Sequence, residues 1–424
     1  MLVAGGMMMT MRPAARLSVL HPTLCKVAVA GPAPSHSAYS KVSVAIKNAQ
    51  FSSTSRASAN ERKPPSLLSL ADLSVEQIQS LIDTSAQFKS AVKSTSLALE
   101  APARSNASAS SSRSTAAGAL PQILEGKQIA VMFTKRSTRT RVASETSIAS
   151  LGGHPIFLSP QDIQLGVNES LYDTAKVVSS MVDGIMARVG THEEIETLAA
   201  NSSVPVVNAL SARYHPTQIL ADLLTLVEHF PSPGAFSAQS TAAQGTSLQS
   251  LAGLKVAWVG DSNNILNDML VALPRLGINL AVATPKPQGA MYARDQVVWA
   301  TMQDGLRQVQ SAGVKVGQVD WSHDPLQAVH DADVIVTDTW ISMGDEASKE
   351  QRLRDFKGFQ VTEQLARAGG AKENWKFMHC LPRKSQEVDD EIFYGPRSLV
   401  FPEAENRKWT IMAIFDRMFG RWEL

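Results

Sequence analysis

Cysteine is almost missing from this chain. Cys25 and Cys380 are the only two in 424 residues. Two thiols close one bridge at most, so no disulfide framework holds the fold, and a reducing compartment suits it. An excess of charge is missing too: 40 Lys and Arg against 39 Asp and Glu leave +1. A balance so near zero predicts no strong attraction to nucleic acid or to a membrane surface. No apolar run approaches the roughly 20 residues that a spanning helix needs. No cluster has zinc-ligand spacing, and no repeat of solenoid period is visible. What remains is 44% hydrophobic and 19% charged, the composition of a soluble globular protein. The length implies about two domains plus extras.

The even balance hides an asymmetry. Residues 1–60 carry Arg12, Arg16, Lys26, Lys41, Lys47 and Arg56, and no acid precedes Glu61. A basic, serine-rich, acid-poor N-terminus has the composition of an organelle transit peptide. Cleavage is expected near Phe51-Ser52-Ser53. Two further stretches, 94–119 and 231–250, turn to Ser and Ala or to Ser, Ala, Gln and Pro. Such segments bury too little apolar surface to order themselves and read as flexible insertions without chemistry.

The rest alternates between strand-like and helical runs. Residues 66–92 read as a helical segment, with Ser74 and Glu76-Gln77 as its start signal and Ile78, Leu81 and Ile82 at helical spacing. Strands are expected at 127–133, 184–189, 204–208, 254–260, 280–283, 333–338 and 376–380. Apolar strands separated by helices predict α/β architecture: two doubly wound domains with parallel sheets, joined by interdomain helices.

Ligands in such sheets sit beyond the C-terminal ends of the strands. The first strong strand runs into Thr134-Lys135-Arg136-Ser137-Thr138-Arg139-Thr140-Arg141, where a helix should begin near Thr138. Free N–H groups and the helix dipole favour an anion there, hydroxyls add donors, and arginine can grip phosphate with two bonds. The Gly-Lys-Ser/Thr ending of a Walker loop is absent. A solvated basic helix start is the plainer alternative. Arg188 ends another strand, and His215-Pro216-Thr217-Gln218 follows a third.

A second set of strand ends lies downstream. Val259-Gly260 enters Asp261-Ser262-Asn263-Asn264, which resembles the opening of a dinucleotide fold, but Gly260 lacks the partner glycines of that fingerprint. Asparagine side chains both donate and accept, and suit a zwitterionic amino acid. Asp338-Thr339-Trp340-Ile341-Ser342-Met343-Gly344 offers an acid that could pair with an ammonium or merely cap a turn. His379-Cys380-Leu381-Pro382-Arg383 ends the last strand. A lone Cys is commonly core filler, but beside arginines its thiol is expected to become a better thiolate.

Taken together, these segments resemble the transcarbamoylase family. The resemblance rests on Ser137-Thr138-Arg139-Thr140-Arg141, His215-Pro216-Thr217-Gln218, the loop Asp338–Gly344, His379–Arg383 and Phe401–Trp409, and covers roughly 65–424. The cysteine in the fourth segment points to the ornithine branch rather than the aspartate branch. Asn267, where some relatives carry His, and the two insertions depart from the pattern.

The likeness implies a carbamoyl-phosphate domain over 65–215, an ornithine domain over 216–400, and a C-terminal helix over 401–424 packing back on the first domain. It assigns Ser137, Thr138, Arg139 and Thr140 to the phosphate. Arg188, His215, Gln218 and Arg407 would hold the same ligand, with Cys380 and Leu381 beside the reacting amine. Asn264, Asp338, Ser342 and Met343 would hold ornithine, and Asp338, Cys380, Arg188 and His215 would form the catalytic set. No metal or organic cofactor is implied. A homotrimer in the mitochondrial matrix is. Rival readings are a transcarbamoylase for another amine, such as putrescine or N-acetylornithine, and a subunit that kept the fold without catalysis.

Overall fold

The computed structural model describes residues 65–100, 120–159, 161, 169–230, 247–342 and 346–421. Residues 1–60 with their expected leader, the core of both insertions, and Met343 and Gly344 lie outside that set.

The first half holds β1 (Ser66–Leu67), α1 (Val75–Glu100), β2 (Gln128–Phe133), α2 (Thr138–Ser150), β3 (His154–Leu158), α3 (Leu171–Ser179), β4 (Gly184–Arg188), α4 (His192–Asn201), β5 (Val206–Leu210) and α5 (Pro216–His229). Its five parallel strands lie in the order β1-β5-β4-β2-β3. The second half holds β6 (Lys255–Val259), α6 (Asn264–Ala272), β7 (Asn279–Ala283), α7 (Gln296–Ser311), β8 (Val319–Ser322), α8 (Pro325–Val329), β9 (Val334–Thr337), α9 (Lys349–Asp355), α10 (Glu363–Gly369), β10 (Lys376–His379) and α11 (Asp390–Tyr394). Its order is β10-β9-β6-β7-β8, again all parallel. The expectation of two parallel-sheet α/β domains is met.

Both orders reverse direction once. In the first sheet the chain moves from β2 out to β3, then returns to β4 on the other side. In the second it moves from β6 to β7 and β8, then returns to β9. A crevice opens where neighbouring connections leave in opposite directions. The residues after β2 and β4 therefore meet at one crevice, and those after β6 and β9 at the other.

Sequence signals explain most elements. Ser74 and Gln77 close a reciprocal cap at the start of α1, with Ser74 N–H donating to Gln77 Oε1 at 2.8 Å and Gln77 N–H to Ser74 Oγ at 3.2 Å. Strand β2 is buried along Ile129–Phe133, as a central parallel strand must be.

Other expectations need correction. Residues 66–92 are not one helix: Ser66–Leu67 pair with β5 and Leu70–Asp72 form a 3-10 turn. A Ser69–Asp72 capping box ends the extended segment there. Helix α1 then continues to Glu100, past the residue-94 boundary expected for the insertion, because alanine and leucine are strong helix formers even among serines. Strands β3 and β8 went unread. Both are edge strands, and β3 carries Pro155, which an edge position tolerates.

Helix α12 (Val400–Phe415) closes the chain's main fold. It packs against α1, α2 and α5 of the first half, and Ser147 Oγ donates to the Lys408 carbonyl at 2.8 Å. Ile411, Met412, Ala413, Ile414 and Phe415 are all buried there.

Candidate active site

Helix α2 opens on Ser137, whose Oγ accepts the Thr140 N–H. The cap leaves the first-turn N–H groups at the crevice, with Thr138 exposed and Thr140 buried. Arg139 reaches across to the second half and donates Nη2–H to the Leu381 carbonyl at 2.7 Å. That carbonyl is turned toward it by Leu381's left-handed backbone, φ 62°, a conformation that costs a bulky residue energy. Arg188 ends β4, and its carbonyl accepts the Thr134 N–H at 2.9 Å. Helix α5 begins at Pro216 with His215 in the capping position.

Arg407, from α12, ties these pieces together. Its Nη1 donates to Gln218 Oε1 at 2.6 Å, and its Nη2 to Thr217 Oγ1 at 3.1 Å and Thr140 Oγ1 at 3.3 Å. The half-buried Arg139 and Arg188 lie close enough to the buried Arg407 for their charges to act on it. Burial pulls both Arg188 and Arg407 down to about 10. Burial and then the three guanidiniums hold His215 well below the usual imidazole range, so it is neutral. The Nε atoms of Arg188 and Arg407 are buried without a hydrogen-bond partner.

The second half faces this basic pocket. Asn263 caps α6 and donates Nδ2–H to Asp338 Oδ2 at 3.0 Å. Asp338 follows β9 and is buried, which raises its carboxyl to about 6 against the pull of His379. Asp261, in the same β6–α6 turn, is pinned by Arg352 Nη1 at 2.6 Å. His379 accepts the Leu381 N–H at Nδ1 (2.9 Å), so its other nitrogen carries the proton toward Glu387 Oε2 at 3.2 Å. Burial lowers the Arg139 guanidinium, and the nearby Asp338 carboxylate offsets part of that. The two crevices therefore form one cleft, basic on one wall and acidic on the other.

Comparison with known proteins bears on both walls. The model of the carbamoyl-P binding domain of aspartate/ornithine carbamoyltransferases matches residues 65–228. The model of their Asp/Orn binding domain matches residues 252–418. The chain belongs to the aspartate/ornithine carbamoyltransferase family. Among curated relatives, the mitochondrial ornithine carbamoyltransferase of Coccidioides immitis is 49% identical over 83% of this chain and 92% of its own length. That of Schizosaccharomyces pombe is 46% identical over 84% and 94%. Among solved structures, a mitochondrial ornithine carbamoyltransferase from Coccidioides immitis superposes with TM-score 0.68 at 44% identity, covering 84% of this chain and 98% of that one. The ornithine carbamoyltransferase of Pyrococcus furiosus gives 0.69 at 36% identity, covering 84% and 97%.

Within this family fold, the structure gathers Arg139, Thr140, Arg188, His215, Gln218 and Arg407 on one wall and Asp338, Cys380 and Leu381 on the other. Asn264 sits at the start of α6 but donates its Nδ2–H to the Ser211 carbonyl at 2.7 Å, so it also joins the two halves. Ser342 is half-buried after β9, and Met343 lies outside the described residues. The expectation for Cys380 is overturned. Its thiol is pushed well above the ordinary range by burial and by Asp338, Asp222 and Glu403, which outweigh Arg407. The site therefore disfavours the thiolate.

Sequence reading gave no role of their own to Thr217, Asp222, Glu387 and Glu403. Asp222 carries a legible signal, an acid amid Ile219, Leu220, Leu223 and Leu224 on a buried helix. Glu403 and Glu387 carry none beyond proximity to assigned residues.

Proposed function

We propose that this chain transfers the carbamoyl group of carbamoyl phosphate to the side-chain amine of L-ornithine, giving L-citrulline and phosphate. One observation carries the reading. The half-buried Arg139 and Arg188 crowd the buried Arg407, and the Nε atoms of Arg188 and Arg407 are enclosed without partners. Buried cations are costly without an anion, and a phosphate is the ligand that planar guanidiniums fit best. Family membership supports the carbamoyl donor, and the relatives' names support ornithine as acceptor.

In this reading Ser137, Thr138, Arg139 and Thr140 hold the phosphate at the start of α2. Arg188, His215, Gln218 and Arg407 hold the carbamoyl end. Neutral His215 serves as a hydrogen-bond donor rather than a charge. Asp338 grips the α-amino group of ornithine, with Asn264, Ser342 and Met343 around the rest, and Cys380 and Leu381 line the wall beside the reacting amine. An alkyl ammonium has a pKa near 10.4, by analogy with lysine. Enclosure among guanidiniums and apolar walls disfavours its charged form. The neutral amine then attacks the carbamoyl carbon. Thr140, Arg188 and His215 stabilise the oxyanion, the C–N bond forms, the C–O bond to phosphate breaks, and the departing phosphate takes up the proton that the amine nitrogen sheds. The chemistry needs no metal or organic cofactor, because the donor is already activated.

The same reading makes the protein a homotrimer of the mitochondrial matrix. Val142, Tyr172, Val177 and Met181 support assembly, since they leave large apolar side chains exposed on the first half. The basic, acid-free stretch before Glu61 and the mitochondrial relatives support the location.

A colorimetric citrulline assay with carbamoyl phosphate tests the function. Ornithine is expected to be carbamoylated, with putrescine, N-acetylornithine and aspartate far behind. Preference for one of those amines would overturn the acceptor. No product with any amine would favour a non-catalytic subunit.

A further inference from the structure

Glu403 has no part in the chemistry above, yet its carboxyl touches both walls of the cleft. It lies on α12, one turn before Arg407, and is buried. Its Oε1 accepts from Gln218 Nε2 at 2.8 Å, and its Oε2 accepts the main-chain N–H of His379 at 3.0 Å. Gln218 is engaged on every side. Its Nε2 also donates to Asp222 Oδ1 at 2.9 Å, while its Oε1 accepts from Arg407 Nη1 at 2.6 Å. On the other side, His379 ends β10 and leads into Cys380 and Leu381, whose carbonyl holds Arg139. Burial raises both carboxyls of the Asp222–Glu403 pair, that of Asp222 to about 7, and Asp222 raises that of Glu403 further.

We propose that Glu403 is a positioning residue that couples the two half-sites, setting the Gln218 amide on the carbamoyl-phosphate side and the His379–Leu381 strand end on the amine side. The inference rests on the transferase reading above. Its physical basis is donor and acceptor matching. The two Glu403 oxygens meet an amide N–H on one side and a main-chain N–H on the other, so each of those donors has one settled direction. Glutamine at 403 has the same shape but turns one oxygen into an NH₂. That group must then oppose either the Gln218 amide or the His379 N–H. In the first case Gln218 rotates and withdraws its oxygen from Arg407. In the second the strand end carrying Cys380 and Leu381 loses its anchor.

Steady-state kinetics of Glu403→Gln in the full-length enzyme test this. A fall in kcat/KM on the order of tenfold to a hundredfold is expected for both substrates, the range for a buried donor left unpaired. With Gln218→Met already in place, the further loss on Glu403→Gln should shrink by at least about threefold, since residues in one hydrogen-bond network are not additive. A change confined to the carbamoyl-phosphate constants, or strict additivity, would overturn the coupling. If Glu403→Gln does not fold, Gln218→Met alone decides. At saturating carbamoyl phosphate its KM for ornithine should rise at least about threefold, and an unchanged value would overturn the proposal. An inactive wild-type enzyme would instead sink the transferase reading, and this inference with it.

Discussion

Asp338 is held by burial at about 6 rather than its usual 3.8, and the shift has two consequences of opposite sense. For stability, the folded state binds the proton more tightly than the unfolded chain does. The contribution is fully present below about pH 4 and is lost as pH rises through about 6. For ligand binding, an ammonium needs the ionised carboxylate. The KM for ornithine is therefore expected to climb as pH falls below about 6, approaching tenfold per pH unit. Asp338→Asn should remove this acid limb and raise the KM at pH 8 by roughly tenfold to a hundredfold, the worth of a hydrogen bond to a charged group. A pH series of ornithine KM for both proteins checks it, and an unaltered acid limb in the variant would exclude Asp338 as its source. Cys380 teaches the complementary lesson. Burial and then three acids raise its thiol, and only the fold brings Asp338, Asp222 and Glu403 to it.

Helix α6 and the 3-10 turn after Ala272 show how elements from the two halves are bound together. Arg275 donates Nη1–H to the Leu73 carbonyl at 2.8 Å, Nη2–H to the Leu70 carbonyl at 2.6 Å and Nε–H to the Val271 carbonyl at 2.6 Å. Asp268, seven residues earlier on α6, accepts the Leu70 N–H at 3.2 Å and the His215 N–H. Residues 70–73, just past β1 of the first sheet, are thereby fastened to the second half. The same carboxylate orients the main chain of the residue that opens α5. Arg275→Met would keep the stem but take this donor from the Leu73 and Val271 carbonyls, leave that of Leu70 with the Leu73 N–H alone, and remove the cation near Asp268. A loss of about 3 kcal/mol is expected, from broken buried partners. A shift in the urea midpoint at constant slope would report it, and wild-type stability would show that water replaces the guanidinium without cost.

At the scale of the molecule, the cleft lies between two sheets whose reversal points face each other. Each sheet builds only one wall: guanidiniums and hydroxyls from the first, with α12 adding Arg407, and Asp338 with the Cys380 segment from the second. Transfer between two substrates requires both walls, which explains why the family uses a two-domain chain for a one-step reaction. Val297, Val314, Leu326, Leu353, Tyr394 and Phe401 are exposed beyond the first half, and Val142, Tyr172, Val177 and Met181 are the exposed large apolar residues described within it. If they mark the assembly surface, light scattering should give a mass three times that of one chain. A monomer fully active at assay concentration would refute the trimer.

Much of this was legible in the residues. Central parallel strands are continuous apolar runs, so β2, β4, β6 and β9 announce themselves, and so does the edge strand β10, which is buried along Phe377–His379. The pairing of hydroxyls and arginines at a helix start is likewise local chemistry. The edge strands β3 and β8 were not legible, because a half-exposed strand with Pro155, or one reading Val-Asp-Trp-Ser, has no distinctive period. Nor were the contacts of Glu403 with Gln218 and His379, which lie 185 and 24 residues away. Local sequence determined which strand ends would offer phosphate donors and which an acid, since backbone periodicity and side-chain chemistry act over a few residues. Tertiary structure alone decided which groups share a buried space. Protonation and orientation there depend on distance and on lost water, and neither is written along the chain.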